Sequence, residues 1–213
     1  MNQHQSNEHQ ATWEEHYNAR PQVWSGKVNT QLAAIAPTIG GGRALDLGCG
    51  EGADAIWLAE QGWTVVAVDV SDTALGRARA AAEARGVGDR IDFQQHELTG
   101  SFPDGTFDLV SAQFLHSTLE MDRTGILRRA AAAVAPGGAL LVVDHAGAPP
   151  WATKMHHHRF PGAQEVIAGL FDCPELNLDQ WTTEIRSVER PARGPDGDEV
   201  ILVDNVILIR RNS

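Results

Sequence analysis

Residues 45–53 read Leu45-Asp46-Leu47-Gly48-Cys49-Gly50-Glu51-Gly52-Ala53: the end of an apolar run, three glycines at alternate positions, and a small residue able to open a helix. Glycines here permit a tight turn and let a ligand lie against the main chain. Three of them exceed what a strand-to-helix turn requires, so the loop is expected to hold a nucleotide. Upstream, Arg43–Leu47 reads as a buried strand; downstream, Ala53–Glu60 reads as a helix closed by Gly62. Thr64–Asp69, β-branched and apolar, is a second strand, and Ala74–Ala84 an alanine-rich helix that Ser71 or Asp72 can cap.

The alternation continues with strands at Ile91–Gln95, Phe107–Ala112 and Ala139–Asp144, and a helix over Asp122–Val134 ended by Pro136-Gly137-Gly138. Such a series predicts an α/β fold, a mostly parallel sheet with helices on both faces. The end of the chain breaks it. Trp181–Glu189 and Glu199–Ile209 are strand-like runs joined by Arg193-Gly194-Pro195-Asp196-Gly197-Asp198, an antiparallel hairpin whose last strand runs against the sheet. At the other end, residues 1–10 read as a flexible tail. A helix begins near Ala11 and ends before Arg20-Pro21, and a second spans Asn29–Ala36 with Asn29 as its N-cap. The domain is therefore expected over 11–213, with an N-terminal helical cap at 11–40 and a lid at 146–162.

Composition narrows the function. With 213 residues, 42% hydrophobic and 21% charged, one globular domain is expected. A net charge of −11, from 28 acids against 17 bases, argues against a phosphate backbone or an anionic membrane as partner. No window approaches the ~18 unbroken apolar residues of a membrane span, and Met1–Gln10 lacks the apolar core of a secretory signal. Cys49 and Cys173 form no disulfide framework, which fits a cytoplasmic protein, monomer or homodimer.

Gly48-x-Gly50-x-x-Ala53 also satisfies a dinucleotide pattern. Two acids tilt the choice. Asp46, two residues before the first glycine, would repel a pyrophosphate and attract a cationic amino-acid group. Asp69, ending the second strand, can accept both hydroxyls of a ribose.

On these residues the chain resembles the class I S-adenosylmethionine-dependent methyltransferases over roughly Trp13 to Arg211. Asp46–Gly52 is similar to that family's first motif and Val68-Asp69-Val70-Ser71 to its second. Phe93-Gln94-Gln95-His96-Glu97-Leu98 corresponds to the third, with Glu97 replacing the usual Asp; Phe107-Asp108-Leu109-Val110 and Pro136-Gly137-Gly138 resemble the motifs of strands four and five. The resemblance implies a seven-stranded sheet of order 3-2-1-4-5-7-6 and S-adenosylmethionine as cofactor. It implies that Asp46 holds the cofactor's amino-acid end, that Gly48, Cys49 and Gly50 line its methionine portion, and that Asp69 binds the ribose. Val70 and Leu98 would sandwich the adenine with Glu97 near its amino group, and Gln113 completes the set. Within the family the likeness leans to the small-molecule branch, near tellurite-resistance and thiopurine methyltransferases.

Methyl transfer from a sulfonium needs nucleophile, methyl and sulfur held in line, and a base only for a protonated acceptor. His116 and His145, just beyond the fourth and fifth strands, are the candidate catalytic residues. His156-His157-His158 has adjacent side chains projecting apart, so no metal site is expected. The acceptor expected is a small molecule. Two rival functions remain on the residues alone: an NAD(P)-dependent oxidoreductase, and a non-catalytic module that binds S-adenosylmethionine.

Overall fold

Mostly apolar runs bounded by turn residues become strands, and those in the middle of a parallel sheet covered on both faces bury nearly every side chain. In the computed structural model, which describes residues 3–117, 119–152 and 159–213, these are β1 (Arg43–Leu47), β2 (Thr64–Asp69), β3 (Ile91–Gln95), β4 (Phe107–Gln113) and β5 (Val134–His145). The hairpin strands β6 (Trp181–Arg193) and β7 (Glu199–Arg211) complete a sheet of order β3-β2-β1-β4-β5-β7-β6. All neighbours are parallel except the β5–β7 and β6–β7 pairs.

Helices α1 (Gln3–Asn18), α2 (Thr30–Ile35), α3 (Ala53–Glu60), α4 (Asp72–Ala84), α5 (Arg123–Ala132) and α6 (Ala163–Phe171) surround it. Alternate strand residues feed two cores. Leu45, Val66 and Leu140 pack with Ile126 and Leu127 of α5 and Leu170 of α6. Ala44, Val65 and Leu141 pack with Leu32 of α2, Leu58 of α3 and Ala82 of α4. The parallel strands all end at one edge of the sheet, and the glycine turn follows β1 there.

Most elements fall where the pattern puts them; four differ. The tail expected over 1–10 is corrected: α1 begins at Gln3, since no proline or glycine interrupts Gln3–Asn18 and the helix buries His9 and Tyr17 against the domain. Helix α6 was not expected, because Ala163–Phe171 is almost wholly apolar and contains Gly169, so its period does not distinguish helix from buried strand. Strand β5 starts at Val134 and not at Ala139: Phe107 pairs with Val134 and Leu109 with Ala139, so Pro136-Gly137-Gly138 bulges from the strand where a connecting turn was expected. The hairpin strands run 13 residues each and continue to the turn at Gly194–Asp198.

Asn29 caps α2, accepting from the Gln31 N–H at 2.8 Å, and Ser71 caps α4, accepting from the Ala74 N–H at 3.1 Å. Ser71 is fully buried, so no water replaces its oxygen when it is lost. Ser71→Ala should therefore destabilise the fold by about 1 kcal/mol, read as a lower urea midpoint at unchanged slope.

Candidate active site

The turn after β1 is shaped by what its glycines touch. Gly48 sits at φ +70° and Gly50 at φ +54°. A Cβ on Gly48 would fall 2.8 Å from Leu115 Cδ1, and one on Gly50 2.9 Å from Tyr17 Oη. Asp69, at the end of β2, holds this turn: its Oδ2 accepts from the Gly50 N–H at 2.9 Å and its Oδ1 from the Ser71 N–H at 3.0 Å. Each oxygen keeps a second lone pair for a ligand hydroxyl.

Above the turn lies a cavity of about 1050 Å³, lined by all the residues expected to hold cofactor or act in catalysis: Asp46, Gly48, Cys49, Gly50, Asp69, Val70, Glu97, Leu98, Gln113, His116 and His145. Ligand pockets run roughly 300–1,000 Å³, so one chamber has room for a nucleotide-sized molecule and a partner. Its floor is acidic. Burial, and then the charges of Asp54 and Asp69, push the Asp46 carboxyl well above its ordinary range. Burial raises Asp54 to about 6 against a hydrogen bond from the Asn29 N–H at 2.7 Å. It raises Asp69 as well, opposed by backbone donors at Ser71, Gly50 and Val70.

Asp46 Oδ2 and Gln113 Oε1 are buried without a hydrogen-bond partner among the described residues. The Gln113 amide donates to Ser111 Oγ at 2.8 Å, which leaves its carbonyl oxygen as the orphan. A buried carboxylate and a buried amide oxygen, both lacking donors, fit an ammonium group. Two buried acids, Asp46 and Asp69, with the half-buried Asp54 beside them, fit a cationic ligand and oppose a pyrophosphate. The residues present thus suit S-adenosylmethionine.

At the opposite end, Val70 and Leu98 line the cavity with Glu97 between them and the N-terminal helix. The Glu97 carboxylate turns back on its own loop, accepting from the Gly100 N–H at 3.0 Å and from Thr99 Oγ1, with His9 Nδ1 3.6 Å away. Helix α1 and the segment after it roof the chamber. Glu14 accepts from the Asp72 N–H at 2.5 Å; Glu51 accepts from the Trp24 N–H at 2.9 Å and pairs with Arg77 at 2.9 Å; and Arg77 donates to the carbonyls of Tyr17 and Arg20.

The two histidines stand together with ring centroids 6.0 Å apart. His116 Nε2 lies 3.3 Å from Asp144 Oδ1, and Arg123 holds that fully buried carboxylate at 2.6 and 2.7 Å. His145 Nδ1 lies 3.3 Å from Asp204, which Arg190 holds at 2.5 Å. Phe114 stacks on His145 at 4.3 Å from a φ of +52°, a backbone state costly for an aromatic residue and often kept where a site demands it. His156-His157-His158 and part of the expected lid lie outside the described residues.

Sequence reasoning missed Asp54, His9, Arg190 and Asp204. Only Asp204 carried a local signal, as an acid inside the apolar run Val200–Ile209.

The sheet order and this acid-floored glycine turn define a class I S-adenosylmethionine-dependent methyltransferase domain. Residues 44–138 match the family described as a methyltransferase domain. The 27-O-demethylrifamycin SV methyltransferase of Amycolatopsis mediterranei is 32% identical over 184 residues, 84% of this chain and 65% of that protein. The tRNA 5-carboxymethoxyuridine methyltransferase of Escherichia coli is 36% identical over 153 residues, 70% and 53% of the two chains. The N-methyltransferase NodS of Bradyrhizobium japonicum, solved with S-adenosylhomocysteine, superposes with a TM-score of 0.68 at 21% identity, covering 96% of this chain and all of that one. Residues 44–138 carry a methyltransferase domain, whose cofactor is S-adenosylmethionine, and the chain spans about half to two thirds of the length of these curated relatives. No helix among the described residues is long and apolar enough to cross a membrane.

The raised acids have a pH signature. Asp54 holds its proton more tightly in the fold than in the unfolded chain. The stability this adds is present at low pH and lost as pH rises from the ordinary 3.8 through about 6. A cationic ligand needs the ionised form. S-adenosylhomocysteine should therefore bind more tightly as pH rises from 5 to 7, releasing protons near pH 6; Asp54→Asn should flatten that rise in calorimetry across buffers of different ionisation enthalpy.

Proposed function

We propose that the protein transfers a methyl group from S-adenosylmethionine to a small-molecule acceptor by in-line displacement. The observation that carries this is the pair of donor-less acceptors, Asp46 Oδ2 and Gln113 Oε1, on the acidic floor of the cavity. When bound, the cofactor supplies an electrophilic methyl on a sulfonium. The chain's own residues do the rest. Asp46 and Gln113 accept from the ammonium, Asp69 accepts from the ribose hydroxyls, and Val70 and Leu98 enclose the adenine. The α1 roof excludes water, and His145 or His116 takes a proton when the acceptor carries one.

Small molecule rather than RNA is supported by the −11 charge and by an acidic chamber beneath a helical roof, although relatives named for tRNA and ribosomal RNA methylation also match. A cytoplasmic setting accords with Cys49 and Cys173, both free. The oxidoreductase reading keeps its glycine spacing but must place a pyrophosphate beside buried acids. The non-catalytic reading leaves two histidine–carboxylate pairs at the acceptor end without a use.

Calorimetry should show binding of S-adenosylhomocysteine and none of NAD; tight NAD binding overturns the proposal. Asp69→Ala, with its fold checked by circular dichroism, should weaken S-adenosylhomocysteine by ~1–3 kcal/mol, the worth of charge-assisted hydrogen bonds to two hydroxyls.

A further inference from the structure

The cofactor half of the chamber leaves a second half walled by elements that hold no cofactor residue: the ends of β5, β6 and β7 and the segment after β4. Its two histidines are held differently. His116 lies on the loop after β4 and commits Nε2 to Asp144, deep against Arg123. His145 ends β5 directly opposite Asp204 in the antiparallel register with β7, so both side chains project from the same face. The contact uses Nδ1, which leaves Nε2 as the nitrogen that can face the cavity lined by His145.

Asp204 is buried, and its own charge state follows from its neighbours. Burial would raise its carboxyl; the hydrogen bonds from His145 and Arg190 outweigh that and hold it below its ordinary value. An anionic carboxylate accepts only, so Nδ1 must carry the hydrogen and Nε2 the lone pair. Arg190, from the neighbouring strand β6, reaches the same carboxylate from its other side, at 2.5 Å from Oδ2.

The His145 ring lies among other aromatic rings. Phe114 stacks on the His145 ring at 4.3 Å, Arg190 lies 5.6 Å over Phe114, and Phe160 meets His145 edge-on at 6.1 Å and His116 at 5.4 Å. Such a slot receives a flat ring by stacking or edge-to-face contact.

We propose that Arg190 and Asp204 are positioning residues that hold His145 as a neutral base with Nε2 toward the acceptor, and that the acceptor is a planar aromatic molecule bearing a hydroxyl. This rests on the methyl-transfer reading above. The acceptor O–H bond breaks with its proton passing to His145 Nε2. An oxygen lone pair forms the new O–C bond as the methyl leaves the sulfonium, whose sulfur keeps the electron pair, and the imidazolium returns its proton to solvent. A thiolate would need none of this apparatus.

The test begins without cofactor. Long-range ¹H–¹⁵N spectra of the full chain near pH 7.5, with the His145 signals assigned by their loss in His145→Gln, should show Nδ1 protonated and Nε2 bare. Asp204→Asn should mix the tautomers, and Arg190→Met, which frees the carboxylate that Nδ1 faces, should shift the Nδ1 signal, with the His116 signals unmoved. A wild-type proton on Nε2, or signals indifferent to both variants, overturns the positioning role.

With S-adenosylmethionine, 1-naphthol should be methylated at oxygen. His145→Gln should lower kcat about 100- to 10,000-fold with KM changed little, while turnover of 1-naphthalenethiol should be insensitive to that variant. Refusal of naphthol by a protein that binds S-adenosylhomocysteine overturns the acceptor class; failure to bind S-adenosylhomocysteine overturns the underlying methyl-transfer reading instead.

Discussion

The carboxylate of Asp69 joins the turn after β1 to the entry of α4, beside the Cys49 N–H that donates to the Val68 carbonyl at 2.9 Å. By accepting from the N–H groups of Gly50 and Ser71, it satisfies donors that the tight path after β1 and the entry to α4 would otherwise bury unpaired. Ser71, once placed, caps α4, and Glu14 reaches from α1 to the next two N–H groups, at Asp72 and Thr73. The floor of the chamber, its side wall and its roof therefore trace back to one acidic side chain. Hydrogen bonds to a charged group are worth roughly 1.5–3 kcal/mol each, enough to keep an acid where burial and two neighbouring acids oppose it.

Asp46 has less support, a single backbone donor at Ala55. It lies beside Asp54 and Asp69 with one oxygen lacking a donor, a state that packing alone would remove by substituting an apolar residue of similar size. A ligand bringing an ammonium group and a sulfonium relieves this repulsion and supplies the missing donors, so the unfavourable free state becomes part of the binding free energy. The same electrostatics separate two ligands that the glycine spacing leaves open, because a pyrophosphate would worsen what a cation cures.

How far this was legible in the sequence depends on whether local chemistry or tertiary register sets each feature. The bounds of β1, α3, β2 and β3 follow from hydrophobic period and punctuation at Gly62 and Ser71. Asp46 and Asp69 are legible because their distance from the glycines is fixed along the chain. The start of helix α1 is not legible in its polar first turns; the helix meets the domain through His9 and Tyr17, which are buried. Helix α6 hid in an apolar run of uncertain period, and the bulge at Pro136-Gly137-Gly138 looked like a turn because the residues that make turns also make bulges. His9 and Arg190 are ordinary surface residue types until the fold carries them across the chamber.

The reversal of β7 explains why the acceptor end is built as it is. In a wholly parallel sheet the neighbour of β5 would present its own carboxyl end and a loop at this edge. Because β7 runs the other way, it enters the sheet here, and its residues at the mouth belong to a regular strand whose pairing with β5 and β6 fixes their positions. Asp204 thus faces His145 through ladder geometry, and β6 carries Arg190 to the same carboxylate. His116, on a loop, gains comparable fixity from a fully buried carboxylate clamped by Arg123. The glycine turn and its acids lie on turns between parallel strands, and the histidine end of the chamber is built by the hairpin. Changes at positions 188–191 and at Asp204 of the hairpin, which line the chamber, can therefore reshape its histidine end while the glycine turn and its acids remain as they are.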